Sequence, residues 1–135
     1  MTQMILKISM LLVCVCAMGH VRAEDTRVFE LRTYTAAPGK LDALNTRFRD
    51  HTNKLFVKHG MTMIGYWTPA DGDKKDNTLV YILAFPSRDA AKKAWAAFRE
   101  DPDWIKAKAD SEVNGSLTTK VESVFLTPTD YSPIK

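Results

Sequence analysis

The sequence predicts an α+β fold in which a four-stranded antiparallel sheet is covered by two main helices. Three observations predict it. Four short segments are rich in β-branched and aromatic residues, two segments carry apolar residues at helical spacing, and Gly-, Pro- or Asp-containing stretches separate them. Their order along the chain is β-α-β-β-α-β, which is the ferredoxin-like arrangement.

The four predicted strands cover 27–35, 61–68, 78–85 and 120–127. The first strand alternates, so that Phe29, Leu31 and Thr33 lie on one face while Val28, Glu30, Arg32 and Tyr34 lie on the other. The third is almost wholly apolar, which is typical of a central strand covered on both faces. The polar segment 70–77 is predicted to be the hairpin loop that precedes it, and the tail after Pro128 is predicted to be irregular.

The first helix is predicted over about 39–59, because apolar and histidine residues recur there at helical spacing. These residues are Leu41, Leu44, Phe48, His51, Leu55 and His59, and Arg47 falls on the outer face. Gly60 is predicted to end this helix in a left-handed conformation.

The second helix is predicted to begin after Ser87 as N-cap and to bury a stripe at Ala91, Ala94, Trp95 and Phe98. Asp101 as N-cap and Pro102 at the first helical position begin a further short helix.

Two helices can cover only one face of a four-stranded sheet. The second face still carries apolar groups such as Tyr34, Tyr81 or Val80, depending on the orientation of each strand. Such a face has to be buried, and a second copy of the chain is the simplest cover. The sequence therefore predicts a homodimer.

Residues 1–23 are predicted to form a cleavable signal peptide, followed by a single domain over 24–135. Lys7 provides the positive n-region, and an apolar run of about a dozen residues follows, which is too short to anchor the chain in a bilayer. Val21 and Ala23 suit cleavage before Glu24. We therefore expect a periplasmic or secreted protein with no stable membrane anchor after cleavage.

Both cysteines, Cys14 and Cys16, lie within this predicted leader, so the mature chain would have no thiol, no disulfide and no sulfur-ligated metal. The whole chain carries 19 Lys and Arg against 16 Asp and Glu, and loss of Lys7 and Arg22 would leave a net charge of about +1. This balance argues against a nucleic-acid partner, which calls for a clustered basic surface. The sequence also contains no GxGxxG, Walker or GxSxG motif.

Two histidines are candidates for chemistry. His51 and His59 lie eight residues apart on the predicted helix, a rise of about 12 Å, which is too far for them to share one metal ion. His51 alone could act as a general base or as an axial haem ligand. The alternative for both is a half-buried histidine that is hydrogen-bonded within the fold. No metal site is predicted, no cofactor is required by the sequence, and haem remains possible.

Several aromatic residues are candidates for a ligand pocket: Tyr34, Tyr66, Trp67, Trp95 and Trp104. The alternative is that they belong to the core and the dimer interface. Tyr66 and Trp67 are adjacent in a strand and must point to opposite faces. Gly65 leaves a gap beside Trp67 that a ligand or a helix could fill. Glu30 and Arg32 share a face beside Tyr34. If that face meets the dimer partner, we expect a buried ion pair or a polar site at the barrel seam, and the structural pair is favoured.

The chain resembles the NIPSNAP family over essentially all of residues 24–135. The residues that carry the resemblance are Glu30-Leu31-Arg32-Thr33-Tyr34, Pro38-Gly39-Lys40, Phe48-Arg49-Asp50-His51-Thr52, Lys58-His59-Gly60, Gly65-Tyr66-Trp67, Asp101-Pro102-Asp103-Trp104 and Phe125-Leu126-Thr127-Pro128. The resemblance implies a dimeric α/β-barrel, with a pocket between the sheet and the helices of each subunit. It does not imply an activity, because fold does not determine function.

The resemblance implies a wider superfamily that includes cofactor-free monooxygenases, small-molecule isomerases and haem enzymes, and together with the residues it gives four functional hypotheses. The favoured one is binding of a small apolar or aromatic molecule in the intrasubunit pocket, with Tyr34, Trp67, Trp95 and His59 as candidate ligand-binding residues. The others are a cofactor-independent monooxygenase or isomerase with His51 as catalytic base, a haem or hydrophobic-ligand binding module, and a structural or protein-interaction domain. The enzyme hypothesis predicts a pocket that reaches His51.

Overall fold

A computed structural model describes residues 27–135, and the predicted leader at 1–23 lies outside them. The strands are β1 (Val28–Ala36), β2 (Thr62–Trp67), β3 (Thr78–Phe85) and β4 (Thr118–Leu126). The helices are α1 (Leu41–Arg47), α2 (Asn53–Lys58), α3 (Arg88–Glu100) and α4 (Pro102–Ser111), and a π-helical turn (Phe48–Thr52) joins α1 to α2. No helix within this part of the chain is long and apolar enough to cross a membrane.

The four strands form one antiparallel sheet in the order β2-β3-β1-β4, which confirms the predicted fold class. β1 and β3 are the central pair, as the apolar character of 78–85 predicted. β2 and β4 are the edge strands, one on each side of this pair, and the helices that connect β1 to β2 and β3 to β4 pack together on one face of the sheet.

The strand register separates two faces of the sheet. Glu30, Arg32 and Tyr34 of β1 point toward the helices, and Tyr81 of β3 shares their face, because the Tyr34 and Tyr81 rings both contact Phe48. The prediction that Tyr34 or Tyr81 could lie on the second face is wrong. The second face, here called the open face, includes Phe29, Leu31, Thr33, Trp67, Val80, Ile82, Glu122, Val124 and Leu126.

The core lies between the sheet and the helices and is dominated by aromatic rings. Tyr81 is fully buried, with its ring centroid 5.2 Å from that of Phe48 and 5.3 Å from that of Tyr66. Phe56 is 1 % exposed and lies 5.5 Å from Trp95 and 5.1 Å from Phe98. Edge-to-face and tilted contacts of this kind add stabilisation beyond the area they bury.

The π turn changes which side of the helix faces the core. Hydrogen bonds that span five residues instead of four widen the turn, so the inward positions after Phe48 fall one residue later than a regular α-helix would place them. Thr52 and Phe56 are therefore buried at 1 % exposure each, whereas His51 is exposed. The prediction that His51 lies on the inner stripe is wrong for this reason.

The predicted helix ends agree with the structure. The Ser87 hydroxyl accepts a hydrogen bond from the Ala90 N–H at 3.1 Å, and the Asp101 carboxylate accepts one from the Asp103 N–H at 2.9 Å. Gly60 follows α2 with φ +74°, a conformation that other residues rarely adopt. These caps fix where α3 and α4 begin, and both helices contribute to the site described next.

Candidate functional site

A groove of about 650 Å³ lies between β1 and the helix pair α3–α4, and we call it the aromatic groove. Alternate positions of β1 contribute Arg32 and Tyr34, which therefore point the same way. Helix α3 contributes Trp95, Phe98 and Arg99, α4 contributes Trp104, Ile105, Lys108 and Ala109, and Glu112 follows directly as the C-cap of α4. The spacing of three and four residues within each helix places these side chains on its groove side.

Aromatic rings form the walls of the groove. The Phe98 and Trp104 ring centroids are 4.6 Å apart with planes inclined by 35°, and Trp95 meets Phe98 edge-on at 5.5 Å. Arg47 packs against Trp104, with its guanidinium carbon 5.2 Å from the centroid of the Trp104 ring. The same guanidinium donates a 2.9 Å hydrogen bond to Glu112. Arg47 is only 4 % exposed, so the prediction that it lies on the outer face of the helix is wrong.

A buried carboxylate organises the floor of the groove. Glu30 is 2 % exposed and accepts hydrogen bonds from Arg32 Nη1 at 2.7 Å, Trp95 Nε1 at 2.6 Å and Ser123 Oγ at 2.5 Å. These donors come from β1, α3 and β4, so one carboxylate links two strands to a helix. The expected Glu30–Arg32 ion pair is present, but it faces the helices of its own chain and not a dimer seam.

Arg32 is enclosed by aromatic rings. Its guanidinium carbon lies 4.3 Å from the Trp95 ring and 5.6 Å from the Tyr34 ring, which is cation–π geometry. Burial alone would lower the pKa of Arg32, but the neighbouring Tyr81, Tyr34 and Glu30 oxygens raise it above its ordinary value. Arg32 therefore stays charged, and its Nε–H is buried without a hydrogen-bond acceptor within residues 27–135.

The Tyr34 hydroxyl is placed to donate into the groove. Its oxygen accepts a hydrogen bond from the Tyr81 hydroxyl at 3.1 Å and a longer one from Arg32 Nη2 at 3.5 Å. With two donors directed at the oxygen, its own hydrogen is available for an acceptor in the groove. Tyr81 itself stays a neutral donor, because burial raises its pKa well above the ordinary value.

The structure brings three of the predicted candidates together. Tyr34, Trp95 and Trp104 line the aromatic groove, whereas Trp67, Tyr66, His59 and His51 do not. Trp67 lies on the open face, 53 % exposed, and its indole covers Gly65 so closely that a Cβ at Gly65 would be 2.6 Å from the Trp67 ring. Trp67 itself therefore fills the gap predicted beside Gly65. Tyr66 and Trp67 point to opposite faces, as predicted.

His59 has a structural partner. Its Nε2 lies 2.7 Å from Asp101 Oδ2, and Lys58 Nζ lies 2.8 Å from the same oxygen. The cluster joins the end of α2 to the start of α4. Within residues 27–135 no three His, Cys, Asp or Glu side chains are grouped as a metal site would require.

Removing the Asp101 carboxylate should give a pH-dependent loss of stability. Hydrogen bonds from Lys58, His59 and the Asp103 N–H lower the pKa of Asp101 below its ordinary value of 3.8. Folding therefore favours the ionised carboxylate, and its contribution is present above the ordinary pKa and lost as the pH falls through the lowered one. We expect the difference in melting temperature between wild type and Asp101→Asn to be largest above about pH 5 and to shrink below about pH 4.

Thermal unfolding measured from pH 7 to pH 2 would check this expectation. Asp103→Asn is the matched control, because Asp103 binds the same lysine from a 74 % exposed position and should change the melting temperature little at any pH. An Asp101→Asn difference that stays constant down to pH 2 would contradict the assignment.

A second, smaller pocket of about 240 Å³ lies beside the π turn and was not predicted. Asn53 and Tyr66 both line it, and Asn53 Oδ1 and the Tyr66 hydroxyl are buried without a hydrogen-bond partner within residues 27–135. Burial also raises the pKa of Tyr66 above its ordinary value. Apolar positions in the sequence could not reveal this pocket, because it depends on where the π turn places Asn53.

Tyr66 and Tyr81, two tyrosines of the sheet whose hydroxyls are buried, should respond in opposite ways to loss of the hydroxyl. Tyr66→Phe removes a buried group without a protein partner, so we expect the free energy of unfolding to stay the same or rise by up to about 1 kcal/mol. Tyr81→Phe removes the donor to Tyr34, so we expect a loss of about 1 kcal/mol. Urea unfolding of both variants gives the comparison, and a larger loss in Tyr66→Phe than in Tyr81→Phe would contradict it.

Comparison with known proteins identifies the family. The NIPSNAP family model matches residues 29–133. The chain belongs to the NIPSNAP family. No match to it was found among curated proteins.

Solved NIPSNAP structures share the fold. A NIPSNAP family protein of unknown function from Agrobacterium tumefaciens is 24 % identical with a TM-score of 0.71, covering 83 % of this chain and 96 % of that one. An uncharacterized NIPSNAP-like domain protein from Burkholderia xenovorans is 17 % identical with a TM-score of 0.69, covering 81 % and 90 %. SnoaB, a cofactor-independent oxygenase from Streptomyces nogalater, is 19 % identical with a TM-score of 0.53, covering 80 % and 98 %. At these identities the similarity establishes the fold of this NIPSNAP protein.

Proposed function

We propose that this NIPSNAP protein binds a planar, largely aromatic small molecule in the aromatic groove. The observation that carries the proposal is the combination of four aromatic side chains, Tyr34, Trp95, Phe98 and Trp104, around a volume of about 650 Å³. Binding sites for small molecules have this size range and are lined mainly by apolar and aromatic groups with a few directed polar ones. The Tyr34 hydroxyl supplies such a polar group.

Binding without turnover fits the groove better than base catalysis. Glu112 is the carboxylate among the groove's lining residues, and it pairs with Arg47 at 2.9 Å; Glu30 lies behind the lining and accepts from three donors. His51 is exposed and lines neither the aromatic groove nor the pocket beside the π turn, so neither of these two cavities supplies the pocket that a catalytic His51 requires. A haem ligated by His51 or His59 lacks support for the same reason.

A cofactor-independent oxygenase or isomerase remains the second candidate, now centred on Tyr34. It is supported by the free hydrogen of the Tyr34 hydroxyl and by the fold that the chain shares with SnoaB. In this version Tyr34 donates a hydrogen bond to a substrate oxygen and stabilises the charge that develops on it. If this candidate is correct, Tyr34→Phe would abolish turnover of a bound substrate while His51→Ala would leave it unchanged.

Calorimetric titration with 2-naphthamide, a neutral planar probe, tests the binding proposal. We expect saturable binding to wild type and an affinity at least about tenfold lower in Trp104→Ala, since a groove wall is then lost. Val113→Ala is the control, because Val113 is 77 % exposed and lies outside the groove. Absence of binding at millimolar probe, or equal binding by Trp104→Ala, would refute the proposal.

We also propose that a second copy of the chain covers the open face. Leu31, Val80 and Ile82 form an apolar surface in the middle of this face, and Trp67 and Val124 at its edges are 53 % and 55 % exposed. Apolar surface of this extent is typical of an interface.

Light scattering should give the mass of a dimer for wild type and of a monomer for Ile82→Glu, with Lys93→Glu on α3 as the dimeric control. A monomeric wild type at micromolar concentration would rule out the homodimer.

Export is the third part of the proposal, and it rests on residues 1–23 alone. Expression of the full chain in a Gram-negative bacterium should place the protein in the periplasm or the medium, with Glu24 as its first residue. Recovery of the protein from the cytosol with Met1 or Thr2 still at its N-terminus would contradict export.

A further inference from the structure

The charges around the aromatic groove indicate what kind of planar molecule it takes. We infer that the ligand is an aromatic acid whose anionic group lies between Arg99 of α3 and Lys108 of α4. This inference rests on the proposed function, because it names the chemical class of the molecule in the same groove. Both side chains line the groove, and both are on its exposed rim.

Neither of these cations is neutralised by the protein. Arg99 and Lys108 form no ion pair with any residue in 27–135, whereas the groove carboxylate Glu112 is already paired with Arg47. Glu30, which lies behind the groove lining, is bound to Arg32. Both carboxylates are therefore paired within the fold, and the positive charges of Arg99 and Lys108 at the rim are left for a ligand.

A second groove extends this positive surface. It has a volume of about 410 Å³, runs between α3 and β4, and shares Trp95 and Arg99 with the aromatic groove. Arg88 lies flat on Phe125 there, with its guanidinium carbon 3.6 Å from the ring centroid, and Lys92 is exposed beside it. We call it the Phe125 groove.

Three cations of the two grooves lie on the same side of α3. Arg88, Lys92, Trp95 and Arg99 are separated by four, three and four residues, so they form one stripe along the helix. Asp89 is the one acidic residue among those that line the Phe125 groove. A stripe of three cations and one tryptophan beside an aromatic cleft attracts an anion from solution and stacks its ring system.

Arg99 is the central element because it belongs to both grooves. A guanidinium binds a carboxylate through two parallel N–H donors, and Lys108 across the cleft adds a point charge. The aromatic part of the ligand would then contact Trp95, Phe98 and Trp104, with the Tyr34 hydroxyl directed at a second oxygen atom. A neutral aromatic molecule would make the ring contacts alone.

Titration calorimetry with 2-naphthoate and its neutral counterpart 2-naphthamide tests the inference. The two probes have the same ring system and differ in charge. We expect wild type to bind 2-naphthoate about tenfold more tightly than 2-naphthamide, which corresponds to roughly 1.4 kcal/mol. In the double variant Arg99→Gln/Lys108→Gln this preference should disappear while the affinity for 2-naphthamide stays unchanged.

Lys93→Gln is the matched control, because Lys93 is exposed on the same helix and lines neither groove. It should keep the preference for 2-naphthoate, and raising the salt from about 0.05 M to about 0.5 M should reduce that preference in wild type. Equal binding of both probes by wild type, or a preference that survives in the double variant, would overturn the inference and leave the proposed function standing. Binding of neither probe would overturn the proposed function as well.

Discussion

Replacing Glu30 with glutamine is expected to lower the free energy of unfolding by about 3–5 kcal/mol, because it leaves the buried Arg32 charge without its counter-ion. The amide can still accept from Trp95 or from Ser123, but it cannot satisfy all three donors, since one of its two polar atoms is itself a donor. The loss should therefore be larger than that of a single neutral hydrogen bond.

Urea unfolding followed by circular dichroism provides the measurement. Asp110→Asn is the control, because Asp110 lies on α4 outside the groove lining and pairs with Lys106 from a 62 % exposed position. We expect this control to change stability by less than about 0.5 kcal/mol. If Glu30→Gln were as mild as Asp110→Asn, the buried network would not hold the groove floor as described. The groove should also lose affinity for both naphthalene probes in Glu30→Gln, because Arg32 and Trp95 are no longer fixed.

Phe56→Ala is expected to cost a similar amount, about 3–5 kcal/mol, for a different reason. The Phe56 ring contacts Phe48, Tyr81, Trp95 and Phe98 at centroid distances between 5.1 and 6.1 Å, so its removal leaves a cavity at the centre of the core. The surrounding rings are attached to three separate elements and cannot all move to fill it. We expect a lower urea midpoint with an unchanged m-value.

The neighbouring residue provides the control. Val57 is 61 % exposed, so Val57→Ala should stay within about 0.5 kcal/mol of wild type. The two variants also test the π turn. A regular helix that places His51 inward would also place His59 inward and would turn Phe56 away from the core, so that Phe56→Ala would cost little. Equal losses in the two variants would show that this part of the helix is oriented differently.

The strands could be predicted from the sequence because their pattern is local. Alternation in 27–35 and the uninterrupted apolar run 78–85 both depend on neighbouring residues, and so do the caps at Ser87 and Asp101. The β-α-β-β-α-β order then restricts the topology to very few arrangements. The fold was therefore predictable almost in full.

The site was predictable only in part, because its geometry depends on two features that local patterns do not encode. Leu55 and Phe56 are both apolar, so a regular helix and one with a π turn fit the sequence equally well, and the regular one wrongly placed His51 inward. Arg47, Arg99 and Lys108 have the spacing of ordinary solvent-exposed charges. Their roles emerge only once α4 is folded against α1 and α3.

The π turn also makes the first helix one residue longer than its packing requires. Deleting one exposed residue of the turn, such as Asp50, would convert it into a regular α-helix in which Phe48 and Phe56 still face inward. The same deletion within α2 would rotate everything after it by about 100° and expose the core face. Relatives of this chain that differ in length within the first helix should therefore carry the gap at 49–51 and nowhere else in that helix.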